Sequence, residues 1–195
     1  MNIFATITLS YLLGCFSSAY FVGKLFKKID IRGYGSGNAG ATNAMRVMGK
    51  KLGVLTFLLD FLKGILAVYI GFLLLGYNGG LIAAIFVVLG HDFPVFLGFK
   101  GGKGVATTIA CMAILNFYEA LFSVLVGILT AIVSKYVSLG SIVFFTILPI
   151  INALTKRPFN KELLITSLVL SLIGIYRHKE NIKRLLKGNE NKIGG

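Results

Sequence analysis

Two stretches of the chain combine glycine with amide, hydroxyl and cationic side chains in patterns that suit an anion. The first reads Arg32-Gly33-Tyr34-Gly35-Ser36-Gly37-Asn38-Ala39-Gly40-Ala41-Thr42-Asn43-Ala44-Met45-Arg46. Glycines let successive backbone N–H groups converge on one point and cradle an anion. Ser36, Asn38, Thr42 and Asn43 add side-chain donors, and Arg32 and Arg46 add charge, arginine being able to grip phosphate bidentately. Gly35, Gly37 and Gly40 also match the dinucleotide spacing G-x-G-x-x-G, but no βαβ pattern surrounds them, which excludes a Rossmann site. The second stretch, Lys100-Gly101-Gly102-Lys103-Gly104, lacks the Ser/Thr after lysine that a P-loop needs. It does set two ammonium groups and exposed N–H groups before a helix expected to start near Val105, where the helix dipole favours an anion. His91 and Asp92 lie just upstream, at the end of an apolar run.

Other polar groups are less decisive. Asp60 and Lys63 are spaced i,i+3 inside an apolar run and can pair on one helix face. A charge at a bilayer centre costs about 2.5–3.5 kcal/mol on insertion scales, so the pair serves either helix packing or function, and spacing does not choose. Ser138, Ser141 and the tail Arg177-His178-Lys179-Glu180-Asn181-Ile182-Lys183-Arg184 form a third polar group; alone, the tail reads as a basic helix at a membrane surface. Cys15 and Cys111 sit inside apolar runs and make neither a metal-ligand pair nor a disulfide framework. With no nucleophilic cysteine and no metal cluster in the pattern, chemistry here calls for an already activated substrate, together with positioning, proton transfer and charge stabilisation.

The elements that must position these groups are membrane helices. Of 195 residues, 56% are hydrophobic and only 14% charged, against roughly 25% charged in soluble domains; mean hydropathy is +0.84. That excludes a soluble globular domain, a disordered chain and a disulfide scaffold. The formal charge of +13 follows the positive-inside bias rather than nucleic-acid binding, because the basic residues flank apolar runs. Leu12-Leu13-Gly14-Cys15 resembles a lipoprotein cleavage site, but nothing basic precedes Lys24, so Met1–Val22 reads as a retained span. Further runs are Leu52–Gly76, Leu81–Leu97, Val105–Tyr118, Ala120–Val133, Val137–Leu154 and Leu163–Tyr176. Seven crossings with the N-terminus outside put 16 Lys/Arg inside and leave Lys156, Arg157 and Lys161 outside. Five full spans plus a re-entrant pair at Val105–Val133 keep the same parity. The expected fold is an all-α polytopic integral membrane protein of one domain, 1–195, with about seven transmembrane helices (some short or re-entrant), the C-terminus cytoplasmic and the tail Arg177–Asn191 forming an interfacial helix with Ile182, Leu185 and Leu186 on one face.

Three segments together resemble the cytoplasmic motifs of the bacterial acyl-phosphate-dependent glycerol-3-phosphate acyltransferases, the PlsY family. They are residues 35–43; Gly90-His91-x-Phe93-Pro94-Val95-Phe96-Leu97-x-Phe99-Lys100-Gly101-Gly102-Lys103-Gly104-Val105-Ala106-Thr107; and Arg177-His178-x-x-Asn181-Ile182-x-Arg184-Leu185-x-x-Gly188-x-Glu190. Asp60-x-x-Lys63-Gly64 and Tyr136-Val137-Ser138-Leu139-x-Ser141 resemble family segments as well. The resemblance implies transfer of a fatty acyl group from acyl phosphate to the 1-hydroxyl of glycerol 3-phosphate, giving lysophosphatidic acid and phosphate at the inner leaflet of the bacterial plasma membrane. It implies no metal and no cofactor. Acyl phosphate, glycerol 3-phosphate and membrane lipid are the expected partners, with no nucleic acid and no obligate protein partner.

On that reading Ser36, His91 and Lys103 are the catalytic candidates. Gly37, Asn38, Gly40, Ala41, Thr42, Asn43, Arg46, Lys100, Gly101, Gly102, Gly104, Ser141, His178, Asn181 and Glu190 are the substrate-binding candidates. The Ser36–Asn43 nest and Lys103 are expected at the acyl phosphate, and Arg46, Ser141, His178 and Asn181 at glycerol 3-phosphate. The base that takes the hydroxyl proton is either His91 or the substrate's own phosphate. Two other classes compete: a small transporter of anionic solutes, suggested by glycine-broken spans and internal charges, and a membrane anchor that binds anionic lipid through its tail.

Overall fold

The computed structural model describes residues 2–155 and 158–193. Met1, Lys156, Arg157, Gly194 and Gly195 lie outside the described residues, among them two of the three basic residues expected in the external loop, Lys156 and Arg157. Among the described residues every regular element is helical. The chain divides into two compact units, Met1–Cys111 and Met112–Gly195.

The first unit opens with α1 (Asn2–Cys15), a break at Phe16-Ser17, and α2 (Ser18–Val22), which runs into a π-helical turn over Gly23–Lys27. After a loop come α3 (Ala41–Met48) and the long α4 (Lys50–Asp92). α4 is two limbs joined by a fold at Leu75 and Gly76, where φ is +60° at the glycine. The limbs lie back to back through small residues: a Cβ on Gly71 would strike the Gly79 carbonyl, and one on Gly79 the Gly71 carbonyl. α1 follows the second limb in the same way, its Gly14 against the Val87 carbonyl and Gly90 against the Tyr11 carbonyl. Such small-residue contacts are how membrane helices pack without a hydrophobic driving force. The second limb ends at Asp92 rather than Leu97, because Pro94 has no N–H to continue the ladder and disfavours helix in the residue before it. At the polar end of this unit Ala19, Val22, Ile31, Ala39, Ala44 and Met48 form a buried cluster that anchors the 30–40 loop against α2 and α3.

α5 (Val105–Leu115) is 11 residues long, about 16 Å, and does not reach across a hydrocarbon core of about 30 Å. It stops at Asn116, and α6 (Phe117–Ser134) begins at once, three residues before the Ala120 start that the sequence suggests. The reason is Asn116: its extended backbone breaks the ladder, its carbonyl accepts from Ala120 N–H, and its amide donates to Asn152 Oδ1 at 2.6 Å.

In the second unit α6 and α7 (Val137–Thr155) form a hairpin turned by Lys135 in the left-handed region, with Gly127 against the Gly140 carbonyl. α8 (Lys161–Arg177) is capped by Asn160, which accepts from Leu163 N–H at 2.7 Å. α9 (Lys179–Leu186) covers only part of the expected tail helix. Ile182 and Leu185 are half-buried, whereas Leu186 is 83% exposed, so the three do not share one environment. The chain then returns, and Ile193 N–H donates to the Lys135 carbonyl at 2.8 Å.

Among the described residues, four helical stretches are long and apolar enough to cross a membrane: Asn2–Lys27, Lys50–Leu97, Phe117–Ser134 and Val137–Thr155. The second contains both limbs of α4.

Candidate active site

In the first unit the two glycine-rich stretches fold as adjoining loops. The loop after α2 begins with a short turn, Ile31–Gly33, that Asp30 caps by accepting from Arg32 N–H at 3.0 Å. The Arg32 guanidinium pairs with Asp30 at 2.7 Å, lies over the Tyr20 ring at 5.3 Å, and donates to the Leu97 carbonyl at 2.8 Å. Its hydrogen bond holds the Asp30 carboxyl below the usual carboxylate range, and the carboxylate in turn raises the guanidinium. Arg32 therefore ties one loop to the other, its charge matched by Asp30.

Asn43 draws the rest of the loop together. It is buried on the first turn of α3. Its amide donates to the carbonyls of Tyr34 and Asn38 at 3.0 Å each and of Ile31 at 3.4 Å, and its Oδ1 accepts from Ser36 N–H at 2.9 Å. Gly35 has φ +60°, and a Cβ there would strike Asn43 Oδ1. Ser36, Gly37, Thr42 and Arg46 are exposed, while Asn38, Gly40 and Ala41 are half-buried. Asn38 donates to the Gly101 carbonyl at 3.2 Å, the second link between the loops.

The second loop wraps over the last turn of α4. Gly102 N–H donates to the His91 carbonyl at 3.0 Å. A Cβ on Gly101 would strike that carbonyl, and one on Gly102 would occupy the place of His91 Nε2. Glycine is thus required by the close approach of the imidazole. Gly104, with φ +67°, packs on Val88 and the Asp92 carboxylate and leads into α5, whose first turn closes by Thr108 N–H donating to its carbonyl at 2.7 Å. Lys100 is exposed and Lys103 half-buried.

Beneath His91 lies a buried polar network. Lys63 Nζ is 3.0 Å from Asp60 Oδ1 and 2.8 Å from His91 Nδ1, and it donates to the carbonyls of Phe16 at 2.7 Å and Gly14 at 3.1 Å. Ser18 Oγ donates to Asp60 Oδ1 at 2.7 Å, and Thr107 Oγ1 to the Asp60 carbonyl at 3.2 Å. The break between α1 and α2 frees carbonyls that a continuous helix would have used, and the ammonium takes them. The i,i+3 spacing announces the Asp60–Lys63 pair. Its link to His91 and the part played by Ser18 and the helix break are long-range contacts with no local signal.

In the second unit His178, Asn181 and Glu190 lie on or beside α9. His178 Nδ1 donates to the Gly174 carbonyl at 2.7 Å, and its ring packs on Phe145 with centroids 6.0 Å apart. Glu190 accepts from Asn181 Nδ2 at 2.9 Å and from Arg184 Nε at 2.8 Å. Its carboxylate is a clamp on two donors, a position from which it shapes the segment. Ser141 Oγ donates to the Val137 carbonyl of its own helix at 3.0 Å.

These features define a class: a helical membrane protein with linked, glycine-rich cationic loops at helix ends, suited to holding a phosphate-bearing molecule. Residues 4–188 match the family described as glycerol-3-phosphate acyltransferase. Among relatives, the glycerol-3-phosphate acyltransferase of Thermoanaerobacter pseudethanolicus is 46% identical over 97% of this chain and 94% of its own length. That of Clostridioides difficile is 46% identical over 100% and 98%. The crystal structure of PlsY (YgiH), an integral membrane glycerol 3-phosphate acyltransferase, in its glycerol 3-phosphate form superimposes with a TM-score of 0.92 at 39% identity, covering 100% of this chain and 96% of that one. Its lysophosphatidic acid form gives 0.90. The chain belongs to the glycerol-3-phosphate acyltransferase family.

Proposed function

We propose that this chain transfers a fatty acyl group from acyl phosphate to the 1-hydroxyl of glycerol 3-phosphate, forming lysophosphatidic acid. The hydroxyl oxygen bonds to the acyl carbon, the carbon–oxygen bond to phosphate breaks, and the hydroxyl proton leaves with the released phosphate. An acyl phosphate is a mixed anhydride that carries its own leaving group, so no acyl-enzyme is needed. The observation that carries this reading is the junction of the two loops, Arg32 donating to the Leu97 carbonyl and Asn38 to the Gly101 carbonyl. Ser36 or backbone N–H groups near Gly37–Gly40 then meet the charge that develops on the acyl oxygen, one such donor being worth about 2.7–4 kcal/mol. Lys103 and the start of α5 hold the donor phosphate. By the resemblance alone, Arg46 in the first unit and Ser141, His178 and Asn181 in the second are assigned to glycerol 3-phosphate. The positive-inside bias puts the loops and tail on the cytoplasmic face of the bacterial inner membrane, a parity shared by seven crossings and by five with a re-entrant pair at Val105–Val133.

The test is to incubate purified protein in detergent with glycerol 3-phosphate and either palmitoyl phosphate or palmitoyl-CoA, following lysophosphatidic acid and phosphate. Turnover with the acyl phosphate alone is expected. No turnover with either donor, from folded protein, overturns the reading and favours transport, which sealed vesicles would then detect.

A further inference from the structure

Lys63 decides what His91 can do. An ammonium donates and has no lone pair, so where it meets a ring nitrogen at 2.8 Å the nitrogen must supply the acceptor. Four acceptors surround the Lys63 ammonium and share its three hydrogens: Asp60 Oδ1, His91 Nδ1, and the carbonyls of Gly14 and Phe16. A proton on His91 Nδ1 would point at this cation, and an imidazolium would set two positive charges 2.8 Å apart among buried groups. Asp60 Oδ1, 3.4 Å from His91 Nδ1, lies beyond ordinary hydrogen-bond length, and its single charge is already matched by Lys63 at 3.0 Å. A neutral imidazole with Nδ1 as acceptor carries its proton on Nε2, the atom that abuts Gly102.

We propose that Lys63, held by Asp60, is a positioning residue that locks His91 in the Nε2–H form, so that His91 serves as a hydrogen-bond donor at the Gly101–Gly104 loop rather than as a proton acceptor. The role rests on the acyl-transfer reading; the tautomer does not. Asp60 balances the Lys63 charge, which would otherwise be costly at this depth, and Ser18 orients the carboxylate. His178 has the opposite polarity, its Nδ1 donating to a carbonyl, so the two imidazoles of the chain should hold their protons on different nitrogens.

The chain contains two histidines, which makes the test direct. Nitrogen-15 NMR of histidine-labelled protein, assigned with His178→Gln, is expected to show His91 with Nδ1 unprotonated and Nε2 protonated at the pH of the activity assay. An Nδ1–H tautomer or an imidazolium at His91 overturns the proposal. The double variant Asp60→Ala/Lys63→Met removes the donor without leaving an unpaired charge. If it folds, as judged by thermal unfolding, kcat is expected to fall about 100-fold with KM for glycerol 3-phosphate within about threefold, and the His91 signals to become a tautomer mixture. Wild-type kcat with an unchanged His91 spectrum overturns the proposal; if the variant does not fold, the wild-type spectrum decides. Absence of turnover in wild-type protein whose spectrum is as expected overturns the acyl-transfer reading instead.

Discussion

Gly102→Ala tests how tightly the imidazole and the second loop are fitted. Gly102 does not have a positive φ, so an alanine suits its backbone and the damage is steric alone. The new methyl would fall on His91 Nε2, with ring carbons Cε1 and Cδ2 at 2.7 and 2.9 Å, whereas ordinary contact begins near 3.4 Å. Relief requires the ring or the loop to move by more than about 1 Å. The ring is held from behind by Lys63 at 2.8 Å and the loop by Gly102 N–H to the His91 carbonyl at 3.0 Å, so both shift and Lys103 shifts with them. Overpacking of this kind costs about 1–3 kcal/mol of stability, and a displacement of about 1 Å at a reacting centre costs on the order of 100-fold in rate. Steady-state acyl transfer, measured well below the melting temperature of the variant, should therefore show a large loss of kcat. Gly33→Ala is the control, because nothing lies within 4 Å of a Cβ there and its φ is not positive; it should be neutral. In a His91→Ala background the Gly102 substitution should add little, since the clash has lost its partner. A Gly102→Ala enzyme within threefold of wild type, or one whose loss is undiminished without His91, would refute the reasoning.

Three further outcomes follow from the same contacts. Asn43→Ala removes several hydrogen bonds worth about 0.5–1.5 kcal/mol each and should lower the melting temperature and loosen the 30–40 loop, read as faster amide exchange at Ser36. Glu190→Ala should weaken substrate affinity more than Glu190→Gln, because the amide still accepts from Asn181 or Arg184; equal losses would show that the carboxylate acts by charge. The Asp30 carboxyl is lowered by Arg32, so its contribution to stability is complete above the unfolded value of about 3.9 and is lost as the pH falls through the folded value. Asp30→Asn should accordingly destabilise at neutral pH and converge with wild type in acid, as thermal unfolding across pH would record.

Much of this was legible in residue types. The apolar runs and the glycines at both loops act locally, and most apolar helices end within a few residues of the runs; the exceptions are the second limb of α4, which Pro94 stops at Asp92 although the apolar run continues to Leu97, and the tail, whose helix is shorter than the stretch 177–191. What escaped was set by contact between distant residues. The break at Asn116 depends on Asn152, the pairing of Lys63 with His91 depends on α4 folding at Gly76, and the roles of Asn43 and Glu190 depend on which carbonyls and cations lie opposite. An Asn in a glycine-rich loop has the same sequence signature whether its amide meets a ligand or staples the loop. Here its amide is turned inward.

That difference bears on how such a site is built. The reaction proposed above, whose donor would bring its own leaving group, asks the protein for position and for positive charge, and little else. Groups that touch a phosphate can then be backbone N–H and lysine, which have no fixed shape of their own and must be ordered from below. The ordering groups are the buried ones: Asn43 under the first loop, His91 under the second, and Asp60 and Lys63 under His91. A substituted lysine at the rim leaves neighbouring backbone donors in place, whereas a substituted Asn43 or Lys63 moves many donors at once. The steepest losses of activity are therefore expected at side chains that the solvent hardly reaches, and an alanine series running from exposed Lys100 to buried Asn43 would reveal whether depth or charge governs them.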